Sequence, residues 1–194
     1  MDIRQKVFEV RGYTPIPFVV LMLVYARPTP LSLVAGFCLA LAGEAIRFWG
    51  VAVAGTETRT TGPVGGTHLF IDGPFAYVRN PLYVGNMMMY VGVGIMSNAL
   101  MPYLVVLAYG FFLLQYTMIV TKEEEYLQRA FGDEYERYVK NVPRFIPRLR
   151  AYAGQHSFHR EPDVARGLES ERRTLQSFVA LTIANVVLYF LRQG

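Results

Sequence analysis

The chain has 194 residues, of which 53% are hydrophobic and 18% charged, with a mean hydropathy of +0.25. That balance excludes an ordinary soluble domain, whose surface in water carries more charge. A single cysteine, Cys38, excludes an internal disulfide framework and any cysteine-rich metal centre, and the net charge of +4 would suit nucleic acid only if the basic residues shared one face.

They do not share one; they flank a series of uncharged runs. The first, Gly12 to Ala26, follows Arg4, Lys6 and Arg11. Pro15 and Pro17 shorten its regular part, which predicts a tilted or partly interfacial helix. Tyr25-Ala26-Arg27-Pro28 offers no small-residue cleavage site, so the run is expected to remain in the mature protein. A second run, Pro28 to Gly43, continues past Glu44 and Arg47 to Thr56. Those two charges stand one helical turn apart inside a span, where a structural ion pair or snorkelling to the interface is the expected arrangement.

The following loop, 55–80, is rich in glycine and threonine, as a flexible connection or a backbone that approaches a ligand would be. It ends in Asn80-Pro81, a good helix start, since asparagine caps and proline suits the first helical position. A helix beginning there presents free N–H groups and a partial positive charge to an anion such as a carboxylate. From Asn80 to Thr121 no residue is charged. At about 20 residues per crossing of a roughly 30 Å hydrocarbon core, that run is long enough for two helices. Ser97-Asn98 and Pro102 near its middle predict a tight turn, hence a helical hairpin. Met87 to Met89 within it are read as packing rather than as a cofactor box.

Glu123 and Glu124 directly follow this run and are placed at the membrane boundary, where a carboxylate tends to have a cationic partner or a function. Tyr126, Leu127, Phe131, Tyr135, Tyr138 and Val139 recur every three or four residues, which predicts two short amphipathic helices broken near Gly132. Tyr152 to Glu171 reads as a polar connector containing Pro162. His156 and His159 in it lack a clustered third ligand, so no metal site is expected. The last uncharged run is Thr174 to Leu191. No Gly-x-Gly-x-x-Gly follows a strand, which excludes the soluble nucleotide-binding route to a cofactor.

These runs predict an all-α, polytopic integral membrane protein with about five transmembrane helices. Residues 1–57 hold the first two, 58–147 a core with loop, hairpin and Glu-Glu segment, and 148–194 a connector and the last helix. Under this layout sixteen Lys and Arg residues fall on one side and two, Arg27 and Arg192, on the other, with Arg47 inside a span. The positive-inside rule puts the N-terminus, the 55–80 loop and the 122–173 segment in the cytoplasm. Their shared pocket is then cytoplasmic too.

Leu69-Phe70-Ile71-Asp72-Gly73-Pro74-Phe75 followed by Arg79-Asn80-Pro81-Leu82-Tyr83-Val84-Gly85 resembles a Gly-Pro-Tyr step and an Arg-(His/Asn)-Pro-x-Tyr-x-Gly signature. Glu123-Glu124-x-x-Leu127, Phe131-Gly132-x-x-Tyr135-x-x-Tyr138 and Val142-Pro143-Arg144-x-Ile146-Pro147 follow in order. Together, over residues 69–147, they resemble the isoprenylcysteine carboxyl methyltransferase family, whose wider relatives include phospholipid methyltransferases. The resemblance implies methyl transfer from S-adenosylmethionine, leaving S-adenosylhomocysteine, to the carboxylate of an isoprenylcysteine-like substrate that enters from the bilayer. It implies a cofactor lining of His68, Leu69, Phe70, Ile71, Phe75, Tyr77, Arg79, Asn80, Pro81, Leu82, Tyr83, Glu123 and Glu124, with Glu123 on the cofactor's ammonium. Three departures stand out: Asn80 where eukaryotic members have histidine, Phe75 for tyrosine, and Ile119 for an arginine associated with the substrate. Arg144, between Pro143 and Pro147, is the expected replacement for that arginine, so Arg144 and Glu123 are the expected catalytic pair. The alternatives are a phospholipid amine or thiol acceptor, a nicotinamide-dependent membrane reductase, and a non-enzymatic structural or transport protein. Membrane lipids are expected contacts, and neither nucleic acid nor a metal is.

Single cysteines at positions 62 and 155, in a Cys38→Ala background, are expected to react with an impermeant maleimide only from the cytoplasmic side. Labelling of either from outside would overturn the orientation and with it the shared pocket.

Overall fold

The computed structural model describes residues 3–55, 68–154 and 162–192. Arg59, most of the glycine- and threonine-rich loop, His156 and His159 lie outside those residues. The described residues form six α-helices and no strand: α1 Ile3–Val10, α2 Pro15–Val24, α3 Pro30–Ala54, α4 Pro81–Ser97, α5 Tyr103–Asn141 and α6 Val164–Leu191.

Each boundary has a local cause. Pro15 opens α2, which meets α1 at a bend of 48°. Thr29 caps α3: its hydroxyl accepts from the Ser32 amide at 3.1 Å while Ser32 accepts from the Thr29 amide at 2.9 Å. Between α4 and α5, Asn98 adopts the left-handed conformation (φ 50°), its backbone N–H donates to the Gly94 and Ile95 carbonyls at 3.1 Å and its side-chain Nδ2 to the Arg27 carbonyl at 3.0 Å, so the expected hairpin turn is formed. Gly132, at φ 49° and ψ −122°, breaks α5. A helix starts at Val164, well ahead of the expected Thr174, because the Asp163 side chain accepts from the Arg166 amide at 2.9 Å and caps it. The stretch expected as a polar connector thus supplies the first turns of α6.

By length and composition α3, α5 and α6 can each cross a membrane, and the bent α1–α2 pair can count as a fourth span. The expected count of five is therefore approximate, with α4, at 17 residues, the short member. The outer surface suits lipid: Val106, Leu107, Leu114, Val179 and Ile183 are all more than half exposed, the reverse of a soluble bundle.

The tightest joint is between the antiparallel α3 and α4. A Cβ added to Gly43 would lie 2.6 Å from the Gly85 carbonyl oxygen, and one added to Gly92 would lie 2.7 Å from that of Gly36. Small residues let the two backbones touch, the usual way helices associate where lipid removes the hydrophobic drive. On this pair α6 packs antiparallel to α3, through Phe178 stacked on Phe37 with ring centroids 5.6 Å apart. Tyr116 and Phe112 of α5 pack on Tyr83 and Tyr90 of α4, with centroids at 4.7 and 4.2 Å. Beyond Thr121, α5 leaves the apolar layer, and α1 lies against it through Arg4 to Glu125 and Lys122 to Gln5.

Gly43→Ala is expected to cost about 1–3 kcal/mol of stability by overpacking against α4. Gly110→Ala, where an added Cβ meets nothing within 4 Å, is expected to be neutral or slightly stabilising. Thermal unfolding in detergent compares them, and equal melting points would refute the close α3–α4 joint.

Candidate functional site

A cavity of about 1090 Å³ runs along α4, from its N-terminal end into the apolar layer. Its polar end is built by three elements meeting. The first is the extended segment 68–72, whose side chains alternate: Phe70 faces the cavity, whereas Leu69 and Ile71 are buried against Tyr135, Tyr138 and Val142. The short 3-10 turn Gly73–Ala76 then brings Phe75 to the same wall, its ring centroid 6.2 Å from that of Phe70, with His68 at the same distance on the other side. The second element is the start of α4, where Arg79, Asn80, Pro81, Leu82 and Tyr83 all line the cavity.

Asn80 does not cap α4 through its side chain as the sequence suggested. Its amide donates instead to the Arg144 carbonyl at 3.2 Å, because the segment after α5 runs back along the 75–80 stretch. Arg79 donates its backbone N–H to Pro143, Arg148 to Tyr77 and Tyr152 to Ala76, each at 2.9 Å. Pro81 at the first position has no N–H, and those of the next residues in a first helical turn have no partner within the helix.

The third element is the extension of α5. Tyr83 donates its hydroxyl to Glu123 Oε1 at 2.7 Å, and Glu123 lines the cavity. Burial pushes the Glu123 carboxyl up to about 7, against the lowering effect of the Tyr83 hydrogen bond and of the nearby Arg11 charge. A carboxyl so desolvated is stabilised in its charged form by any cation that comes beside it.

Glu124 points elsewhere. Arg79 holds it at 3.0 Å, and Arg144 engages it through Nε at 3.2 Å and also through Nη2. Arg79 further donates to the Val139 and Val142 carbonyls at 3.1 and 3.0 Å. The structure therefore does not bring Arg144, expected as catalytic, into the lining of the cavity. Leu69, Ile71 and Tyr77 also stay out of the lining, the last packed on Trp49 with centroids 6.0 Å apart. Of the expected residues, the cavity gathers His68, Phe70, Phe75, Arg79, Asn80, Pro81, Leu82, Tyr83 and Glu123.

Toward its other end the cavity gains walls from helices that the motifs do not touch. Ile16, Val20 and Met22 of α2 and Ser177, Phe178 and Leu181 of α6 flank it opposite Met89, Tyr90 and Val93 of α4, while Phe8, Arg11 and Gly12 close the cavity nearer Glu123. Ile16 and Val20 line the cavity although they are 53% and 52% exposed, so it opens sideways between α2 and α6. The two helices meet at the far end, where Arg192 donates to the Val24 carbonyl at 2.9 Å. Among the described residues no group of three His, Cys, Asp or Glu side chains could hold a metal ion.

Residues 31–134, more than half of the chain, match the model of the phospholipid methyltransferase family. The chain belongs to that family. It is 30% identical over 67% of its length to the cobalt-zinc-cadmium resistance protein CzcN of Cupriavidus metallidurans, and 33% identical over 47% to the nickel-cobalt-cadmium resistance protein NccN of Alcaligenes xylosoxydans. A third relative, the protein-S-isoprenylcysteine O-methyltransferase of Schizosaccharomyces pombe, is 39% identical over 41% of the chain. The aligned stretches cover 56%, 42% and 34% of those proteins, so the chain spans between a third and just over half of their lengths. No solved structure matches it.

The raised Glu123 carboxyl makes a signed prediction. Between the ordinary carboxylate range and about pH 7 the folded protein keeps a proton that the unfolded chain has released, so stability falls as pH rises through that window and levels off above it. The ligand-free protein should therefore lose on the order of 1–3 kcal/mol from pH 5 to pH 8 through this group, and Glu123→Gln should lose that much less. Melting curves of the two proteins that stay parallel with pH would refute the burial of Glu123.

Proposed function

We propose that the protein is a membrane-embedded methyltransferase that uses S-adenosylmethionine to methylate a lipophilic acceptor entering from the bilayer. The observation that carries this reading is one cavity holding a helix N-terminus and a buried carboxylate side by side at its polar end, and opening into lipid at the other. An amino acid's charged end needs both groups: the first-turn amides of Leu82 and Tyr83 suit a carboxylate, and Glu123 suits an ammonium. The aromatic wall of His68, Phe70 and Phe75 suits a flat purine. The residues present thus fit the cofactor, whose contribution when bound is an electrophilic methyl on a sulfonium. Arg79, Arg144 and Glu124 act indirectly in this reading, by fixing the 142–152 segment and so the polar end of the cavity.

The side opening between α2 and α6 separates the routes of access: a water-soluble cofactor reaches the polar end and a lipid tail slides in between helices. The finer reading is an isoprenylcysteine-like carboxylate, supported by the fission-yeast relative. Such a carboxylate is ionised at neutral pH, so the chain's residues have to align it, exclude water and leave it poorly solvated rather than remove a proton. A phospholipid amine is the second reading, supported by the family itself; it requires a base to take the ammonium proton. The charge distribution supports a polar end on the cytoplasmic side.

Calorimetry of S-adenosylhomocysteine binding tests the cofactor, and methyl transfer to farnesylcysteine and phosphatidylethanolamine analogues separates ester from N-methyl products. Glu123→Gln should weaken S-adenosylhomocysteine binding by roughly 1.5–3 kcal/mol, the value of a charge-assisted hydrogen bond. Unchanged affinity in a folded variant would remove Glu123 from the cofactor site.

A further inference from the structure

Arg11, Arg79 and Arg173 line the cavity as well, but the cation fixed midway along it, on a helix long and apolar enough to cross a membrane, is Arg47 of α3, which is only 8% exposed. The sequence suggested an ion pair with Glu44, and Glu44 Oε2 does stand 3.7 Å from Arg47 Nε. The stronger partner is remote in sequence: Glu171 of α6, fully buried, accepts from Arg47 Nη2 at 2.9 Å with each carboxylate oxygen. Asn86 of α4 accepts from Nη1. Space for the Arg47 stem exists because residue 85 is glycine, where an added Cβ would lie 2.6 Å from Arg47 Cγ. Three helices and a glycine thus combine to hold one guanidinium at the cavity wall, and the two carboxylates do not line that wall.

An ion pair needed only to join helices would be sealed away from the cavity, and an apolar pair of similar volume would join them as well or better. A guanidinium carried into the apolar layer and left on a cavity surface is instead the kind of intramembrane charge that marks a ligand path. It lies one helical turn along α4 from Tyr83, the Glu123 partner, and between the polar end and the side opening.

We propose that Arg47 is the acceptor-orienting residue of this protein, donating to an oxyanion in the head of the lipophilic acceptor, a carboxylate or a phosphate, with Glu171, Glu44 and Asn86 as positioning residues that fix its fork. This rests on the methyl-transfer reading above and replaces Arg144 in it. Nη2 is taken up by Glu171 and Nη1 donates to Asn86, but Arg47 Nε is buried without a hydrogen-bond partner, so a donor remains for the oxyanion. It also gives α6, which lies beyond the residues matched to the family, a direct part in choosing the acceptor.

The test measures binding in detergent of N-acetyl-S-farnesylcysteine and dodecyl phosphate, one probe for each oxyanion, beside neutral dodecanol, cationic dodecylamine and S-adenosylhomocysteine. Arg47→Met, of similar length and without charge, should weaken binding of at least one oxyanion probe roughly ten- to a hundredfold, leaving dodecanol and S-adenosylhomocysteine unaffected. The probe that responds names the source, and in turnover assays with that acceptor class KM should rise more than kcat falls. Glu171→Gln should produce a smaller loss in the same probe. Where Arg47→Met no longer binds S-adenosylhomocysteine and so has lost its fold, Arg47→Lys carries the comparison with a three- to tenfold loss, because it keeps charge and loses the fork. The proposal is overturned if neither oxyanion probe binds better than dodecanol to the native protein, if Arg47 substitution leaves oxyanion binding unchanged or weakens dodecanol equally, or if Glu171→Gln selectively weakens dodecylamine. Failure of the native protein to bind S-adenosylhomocysteine would sink the methyl-transfer reading instead.

Discussion

The close approach of α3 and α4 is the constraint on which the rest depends. Lipid does not drive helices together as water does, so their union rests on van der Waals contact, and that contact requires glycine where backbones meet. Gly43 and Gly85 face one another, and Gly36 faces Gly92. The same surface does two jobs, since Gly85 also leaves the room that the Arg47 stem occupies. Packing and charge placement are therefore coupled: any side chain at 85 would push on both the helix joint and the guanidinium.

The paired glutamates show how two adjacent residues come to different ends. On a helix, neighbours point about 100° apart, so when α5 emerges from the apolar layer Glu123 turns toward α4 and the cavity, and Glu124 toward Arg79 and Arg144. Two guanidiniums on one carboxylate make a stable bridge that ties the middle of α5 to the entry of α4 and to the segment that follows α5. Glu123 has the Tyr83 hydroxyl and a more distant Arg11. The first arrangement neutralises its charge within the fold; the second leaves a desolvated carboxyl on the cavity wall.

Much of this was legible in the residues. An uncharged stretch from Asn80 to Thr121 with a turn signal at its centre can only be satisfied as two helices, and the motif residues at its ends then have to meet. What periodicity could not show was which of them face inward. Leu69 and Ile71 are expected in the lining because the family resemblance runs through their segment, yet alternation along it sends them the other way. Arg144 looked available because proline on both sides restricts it, but its nearest acidic neighbour is close in space and remote in sequence. Glu171 was hidden for the same reason: on α6 it reads as one charge among several, and its partner is 124 positions away. Intramembrane Arg47 was itself the signal, since a charge there requires a partner that a pattern search along the chain cannot name.

The walls of the cavity divide between a shared part and an individual part. The family match ends at residue 134 and includes α3, α4 and Glu123, which supply the polar end and the floor. The helices α1, α2 and α6 lie outside that match, and they supply the cover, the two sides of the opening and the anchor of Arg47. An enzyme discriminates acceptors through the pocket contacts that differ between them, and here those contacts come from the elements outside the match. On the proposed methyl-transfer reading, acceptor choice then belongs to the α2–α6 opening and the Arg47 cluster behind it rather than to the motif that identifies the family.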